Sequence, residues 1–166
     1  QALILEHNLS PTDITAIRAR VGDAEASIVD NREMPDICLQ HCLALMVRER
    51  TASFHALHDY SLMNDPAILA ERAKVTLIAD AELGKALPRR QAIVEVDTTD
   101  GRTLAHRTDD VRGTPDNLMT QNEVEAKARD LLQPTLGAAR TDDLIATLSD
   151  LENVSNVASL RELLQP

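Results

Sequence analysis

The stretch Pro35-Asp36-Ile37-Cys38-Leu39-Gln40-His41-Cys42-Leu43-Ala44-Leu45-Met46-Val47-Arg48-Glu49-Arg50 decides how this chain must fold. Read as a helix, its apolar residues Ile37, Cys38, Leu39 and Cys42 through Val47 cover nearly the whole circumference. A helix that is apolar all round is buried on all sides, so other elements must wrap it. Gln40 and His41 are then its strongly polar interior groups. Each needs a hydrogen-bond partner or a wet cleft.

The flanking segments supply the wrapping. Ser10-Pro11-Thr12-Asp13 is a turn or cap signal, with Pro suited to a first helical position. After it, Ile17, Ala19 and Val21 alternate with Arg18 and Arg20, the period-two signature of a half-buried strand. Asp65-Pro66 caps a helix running to about Lys74, which feeds a short strand over Val75 to Ala79. Segments 91–98 and 102–108 form a β-hairpin with Asp100-Gly101 at its tip, a favoured pair for a two-residue turn. That turn places Glu95 opposite His106 and Asp97 opposite Leu104, with Val94, Val96 and Ala105 on the core side. Thr120-Gln121-Asn122-Glu123 is a capping box opening a helix to about Gln133. Thr141 begins another to about Glu152, and a short helix over Val157 to Leu164 closes the chain. Strands and helices come in blocks rather than in βα alternation. The fold class is therefore α+β: a small, mostly antiparallel sheet with a β-hairpin, packed against several helices.

Composition narrows the function classes. The chain has 166 residues, long enough for one domain whose core hides roughly two-thirds of the unfolded surface. It holds one Tyr, one Phe and no Trp, so the core must be aliphatic and a stacking platform for single-stranded nucleic acid is excluded. The net charge is −10, with acidic residues spread along the chain. That speaks against phosphate-backbone binding and against an anionic membrane surface. No apolar run approaches the roughly 20 residues that span a bilayer, and no signal peptide is visible. Cys38 and Cys42, four apart on one helix face, are poorly placed for a disulfide, and the expected setting is reduced and cytoplasmic. The chain opens on Gln1, and Ala2 to Leu5 read as the tail of an element already under way, as in a truncated or processed product.

Several stretches, in this order, resemble the C-terminal domain of the MmgE/PrpD family, which includes 2-methylcitrate dehydratases, cis-aconitate decarboxylases and iminodisuccinate epimerases. They are Met34 through His41 with the apolar helix that follows; Asp65-Pro66 leading into Val75; Val94-Glu95-Val96 before Asp100-Gly101-Arg102; and Arg112-Gly113 followed by Asn117, Met119-Thr120 and Glu125-Ala126-Lys127. The resemblance covers nearly the whole chain, residues 1–166. Two positions depart from the family's habit. Asn117-Leu118 stands where Asn-Pro is usual, and Glu49-Arg50 where the buried helix usually ends in Asp-Gly.

The resemblance implies a two-domain protein with the active site between an all-helical N-terminal domain and this α+β domain. It implies metal-independent, cofactor-free proton abstraction beside a carboxylate, followed by elimination, decarboxylation or epimerisation of a small di- or tricarboxylate. Most acid/base residues belong to the helical domain, so this chain alone is expected to be inactive. A homodimer of the full-length parent is compatible with this picture. The family often places Tyr or His in the cleft immediately after the Gln of the buried helix. His41 occupies that position and becomes the candidate catalytic residue, with Gln40 the candidate substrate-binding residue. Imidazole, ordinarily titrating near 6.5, can donate or accept a proton or pair with a carboxylate.

Plainer readings stand beside these. A lone buried His is most often a core residue bonded to a carbonyl. Cys38-x-x-His41-Cys42 and His55-x-x-His58-Asp59 have metal-like spacing, yet neither has a fourth ligand from another segment, so no metal is assigned. Arg89-Arg90 reads as a solvated loop. No phosphate-cradling loop and no Gly-x-Ser-x-Gly elbow is present. The rival to a lyase or isomerase domain is a non-catalytic interaction or remnant module that binds a partner chain.

Overall fold

The structure, a computed structural model, describes residues 1–165. The chain divides into two compact units, Gln1–Asn117 and a second that begins at Leu118.

The first unit is built on four strands, β1 (Ile14–Gly22), β2 (Val75–Asp80), β3 (Ala92–Thr98) and β4 (Thr103–Thr108), in the order β2-β1-β3-β4. β1 pairs parallel with β2, while β1–β3 and β3–β4 are antiparallel. The sheet is thus mostly antiparallel, and the fold is α+β as the block order of the sequence implies. A parallel pair needs a long crossover. Everything between Asp23 and Lys74 serves as that crossover, including α2 (Asp23–Val29), α3 (Leu39–Glu49), α4 (Phe54–His58) and α5 (Pro66–Arg72). The short helices α1 (Ala2–Glu6) and α6 (Ala81–Gly84) complete the unit.

The alternation read in β1 holds. Ile17 and Ala19 are buried, and Arg18 and Arg20 lie on the opposite face. Ile17 stands beside Val96 across the strand pair and Val96 beside Leu104, so three strands place aliphatic side chains on one side. There they meet Leu3, Ile4, Leu9 and Ile14, and from α3 the side chains of Leu43, Met46 and Val47. The other face of α3 presents Ala44 and Leu45 to Ile68 of α5, with Leu57 and Leu62 packed alongside. α3 is clamped between the sheet and α5, as its all-round apolar sequence demands. Both aromatic residues lie outside this core, with Phe54 and Tyr60 exposed.

Three details correct the reading from sequence. The hairpin register is one residue off: Val94 faces His106, Glu95 faces Ala105, Val96 faces Leu104 and Asp97 faces Thr103. The loop is longer than two residues. Gly101 N donates to Thr98 O at 3.0 Å, Thr98 N to Arg102 O at 2.9 Å, and Gly101 sits at φ +84°. That is a turn closed by a left-handed glycine, not the tight two-residue form. One residue of slip exchanges faces, so Ala105 joins the polar side, and Leu104 and His106 join Val94 and Val96. Second, α3 begins at Leu39, not near Pro35. Residues 35–37 form a turn closed by Cys38 N donating to Met34 O at 3.0 Å, and Cys38 takes the N-cap position. Third, α2 was not foreseen; Ala26 is its only buried residue, and so small a side chain leaves no apolar stripe.

In the second unit, α7 (Gln121–Leu136) opens on the expected capping box. Thr120 N donates to Glu123 Oε2 at 2.8 Å, and Glu123 N to Thr120 Oγ1 at 3.3 Å. Gly137, at φ +77°, separates α7 from α8 (Ala138–Ser149). α8 starts three residues before Thr141, and Thr141, Leu144 and Ile145 are its buried face. A 3-10 turn over Val157–Ser159 leads into α9 (Leu160–Leu163).

Candidate functional site

The residues singled out in α3 lie on its first turns, and their positions follow from helix periodicity. Residues three and four apart share a face, so His41 sits one turn before Ala44 and Leu45, on the side that meets α5. α5 is fixed at its start by Asp65, whose Oδ1 accepts from Ala67 N at 2.7 Å and Ile68 N at 3.1 Å, with Pro66 at the first helical position. Ile68 packs on Ala44 and Leu45. One turn further along α5 comes Arg72.

His41 is wholly removed from solvent, at 0% exposure, and neither ring nitrogen has a hydrogen-bond partner among the described residues. The carbonyl partner of the plainer reading is therefore not there. Burial pushes the imidazole below its ordinary value, because a charged ring would lose hydration with nothing to replace it, and the positive charge of Arg72 adds to the effect. Burial thus favours the neutral ring, and both its nitrogens are unused among the described residues.

Gln40 is its opposite. It is buried too, yet both ends of its amide are engaged. Nε2 donates to Asp30 Oδ1 at 2.7 Å, and Oε1 accepts from Asn31 N at 3.0 Å. Asn31 takes a left-handed conformation at φ +46°, which Asn tolerates better than most residues. Its own side chain then binds in two directions: Nδ2 donates to Asp30 Oδ1 at 3.0 Å, and Oδ1 accepts from Arg72 Nη2 at 3.2 Å. The chain Asp30–Gln40–Asn31–Arg72 ties the loop after α2 to the start of α3 and the end of α5.

Arg72 forms no ion pair with a carboxylate among the described residues. Most other arginines with side-chain partners do: Arg18 grips Asp97 through both terminal nitrogens, one at 2.9 Å, Arg89 holds Asp110 and Arg129 holds Asp142. Arg89 is thus a paired residue of its loop. The acid next to Arg72, Glu71, is itself buried and paired with Lys74 Nζ at 2.8 Å. Arg72, Asn31 and Asp30 escaped the sequence reading, because nothing in their spacing announces a contact made across three separate segments.

The remaining candidates resolve into local structure. Cys38 and Cys42 are free thiols, and burial pushes Cys42 up to about 11, which disfavours the thiolate that a nucleophile needs. His58 Nδ1 lies 2.7 Å from Phe54 O and its ring stacks on Phe54, while Asp59 caps the following turn by accepting from Ser61 N at 2.8 Å. No three His, Cys, Asp or Glu side chains converge among the described residues in a way that could hold a metal ion. Among those residues no helix is long and apolar enough to cross a membrane.

A comparison with curated proteins finds no match. A comparison with protein families finds one that matches residues 1–152, described as the MmgE/PrpD C-terminal domain. The match takes in the whole sheet, the clamped helix α3 with Gln40 and His41, and the helices α7 and α8. This chain belongs to the MmgE/PrpD family, as its C-terminal domain.

Proposed function

We propose that this domain forms one wall of a cleft in which a small di- or tricarboxylate undergoes metal-independent elimination, decarboxylation or epimerisation, with His41 as its acid/base contribution. The observation that carries the reading is the His41 ring, both of whose nitrogens are unpartnered among the described residues, at the position where the family resemblance implies a cleft-facing Tyr or His. Because the ring is fully buried here, the reading requires the contact between α3 and α5 to open toward the cleft. A buried polar group without a partner costs on the order of 1–3 kcal/mol, and a catalytic role is one of the physical reasons such a cost is kept. An all-helical domain would provide the opposite wall and most of the acid/base groups. Exposed Ile28, Met34 and Leu69 stand within three residues of Asp30, Asn31 and Arg72 respectively, as expected of a surface that another domain covers. In this reading Gln40 acts on the substrate indirectly, by shaping the loop that carries Asn31.

The test is turnover of citrate-like and aconitate-like acids by this chain and by a protein joining it to the helical domain, each with and without His41→Ala. Turnover by the two-domain protein alone, lost on His41→Ala, supports the reading. Equal turnover by the isolated chain would show that the acid/base groups lie within these 166 residues.

A second reading, a module that binds a partner chain, draws on the second unit. Val124, Leu148 and Leu151 are each nearly half exposed and line an apolar groove of about 790 Å³ between α7 and α8, rimmed by Glu125 and Glu152. Analytical ultracentrifugation across a concentration series checks for self-association through that face, the homodimer included.

A further inference from the structure

We propose that Arg72 receives a carboxylate of the anionic ligand, held in position by Asn31 and, through the loop, by Gln40. The proposal rests on the carboxylate-cleft reading above and adds to it a ligand-binding residue outside α3.

Three observations converge on Arg72. In a chain with net charge −10, where acidic side chains outnumber basic ones 27 to 17, Arg72 is a half-buried residue whose guanidinium carries no carboxylate among the described residues. Guanidinium is the side chain whose planar fork of donors matches a carboxylate in two parallel hydrogen bonds. Its one side-chain partner among the described residues, Asn31 Oδ1 at 3.2 Å, is neutral and occupies a single nitrogen. Second, Arg72 is pre-placed. Asn31 is itself held by Gln40, so the cation is oriented before a ligand arrives and little is lost in ordering it. The nearest acid of the network, Asp30, is already engaged by the amides of Gln40 and Asn31 on the same oxygen. Third, Arg72 sits one turn beyond Ile68, and His41 one turn before the Ala44 and Leu45 that Ile68 packs on, so the free cation and the unpartnered imidazole share the α3–α5 interface.

The arrangement couples binding to chemistry. Burial and the Arg72 charge both push the His41 imidazole below its ordinary value. A carboxylate on Arg72 cancels that charge, so the ring accepts a proton more readily once ligand is bound. Binding thus readies His41 to take a proton only when a ligand that can give one up is in place.

The experiment is a citrate titration of the 166-residue chain at neutral pH, followed by the arginine side-chain and histidine ring resonances in NMR. Arg72→Gln, Arg72→Lys, Asn31→Ala and, as control, exposed Arg90→Gln are titrated in parallel. The expected result is saturable binding that weakens at least tenfold in Arg72→Gln and less in Arg72→Lys, which keeps the charge without the fork. Asn31→Ala, which frees the guanidinium, should also weaken it, and Arg90→Gln should leave it unchanged. The His41 pKa should rise when citrate saturates the wild-type chain. Absence of saturable binding, equal weakening by Arg72→Gln and Arg90→Gln, or a His41 pKa indifferent to citrate would overturn the proposal. Should Arg72→Gln not fold, the Lys and Asn31→Ala variants carry the same comparison. Failure of turnover by the two-domain protein would sink the lyase reading and leave this binding result standing, so the two can fail separately.

Discussion

Gln40 Nε2 donates to Asp30 Oδ1 at 2.7 Å across ten residues of chain, while the ring of the very next residue, His41, has no hydrogen-bond partner among the described residues. Adjacent polar residues on one buried helix therefore have different roles. Gln40 is consumed by structure, and the buried His41 ring is not.

The first prediction follows from Gln40. Gln40→Ala leaves a cavity and removes both the Asp30 and the Asn31 contacts, so denaturant unfolding should show a loss of about 1–3 kcal/mol. Amide exchange at Asn31 should quicken more than exchange in the sheet. Unchanged protection at Asn31 would mean that the loop is held by something other than Gln40.

His41 should make the domain sensitive to mild acid. Its folded pKa lies below the ordinary value near 6.5, so the unfolded chain binds the proton more readily. The contribution of the neutral ring is fully present above about pH 6.5 and declines as pH falls toward the folded pKa. His41→Phe removes the group and refills the space, so urea midpoints compared at several values between pH 5 and 8 should lose that decline. Parallel pH profiles for the two proteins would contradict the assignment.

Asp97 governs a lower window. Arg18 beside it, with help from the Thr103 hydroxyl at 2.7 Å, holds its carboxyl down at about 2 against an ordinary 3.8. Its stabilising effect is complete above 3.8 and lost as pH falls toward 2. Asp97→Asn should flatten the acid-unfolding curve in that interval and lower stability above it, as read by circular dichroism. An unaltered curve would show the Arg18 pair to be energetically idle.

Arg50 ends α3 at φ +60°, where the family usually has glycine. A left-handed conformation costs a non-glycine residue roughly 1–2 kcal/mol, and Arg50 offsets it by donating to Leu9 O and Asn8 Oδ1, both at 3.1 Å. Arg50→Ala keeps the backbone strain and loses both bonds, so it should destabilise by about 1–3 kcal/mol. Arg50→Gly relieves the strain and should come within about 1 kcal/mol of wild type. The reverse order of the two variants in thermal melts would refute this account of the helix end.

Much of this was legible in the sequence, for reasons that can be named. The Thr120–Glu123 box and the Asp65-Pro66 cap are local chemistry, and each marked its helix start. The clamped state of α3 followed from an apolar circumference that only burial satisfies. The hairpin was legible as an element, but its register was not. Asp100-Gly101 suits both a two-residue turn and a longer loop closed by a left-handed glycine, and that choice alone decided whether His106 faces the core side. At the candidate site, the burial of Gln40 and His41 could be read and their partners could not. Gln40 is satisfied by a left-handed Asn31 nine residues back, and Arg72 reaches the site from a helix thirty residues on. Such contacts are set by how α3 and α5 pack, which no local spacing encodes.

The most direct measurement of the central claim is a pair of readings on one preparation: melting temperature and steady-state kinetics of the two-domain protein, wild type against His41→Phe. If His41 transfers a proton in the cleft, the variant should melt within a few degrees of wild type at neutral pH while kcat falls about a hundredfold. A shifted melting point with unchanged kcat would contradict the account and return His41 to the core as a structural residue.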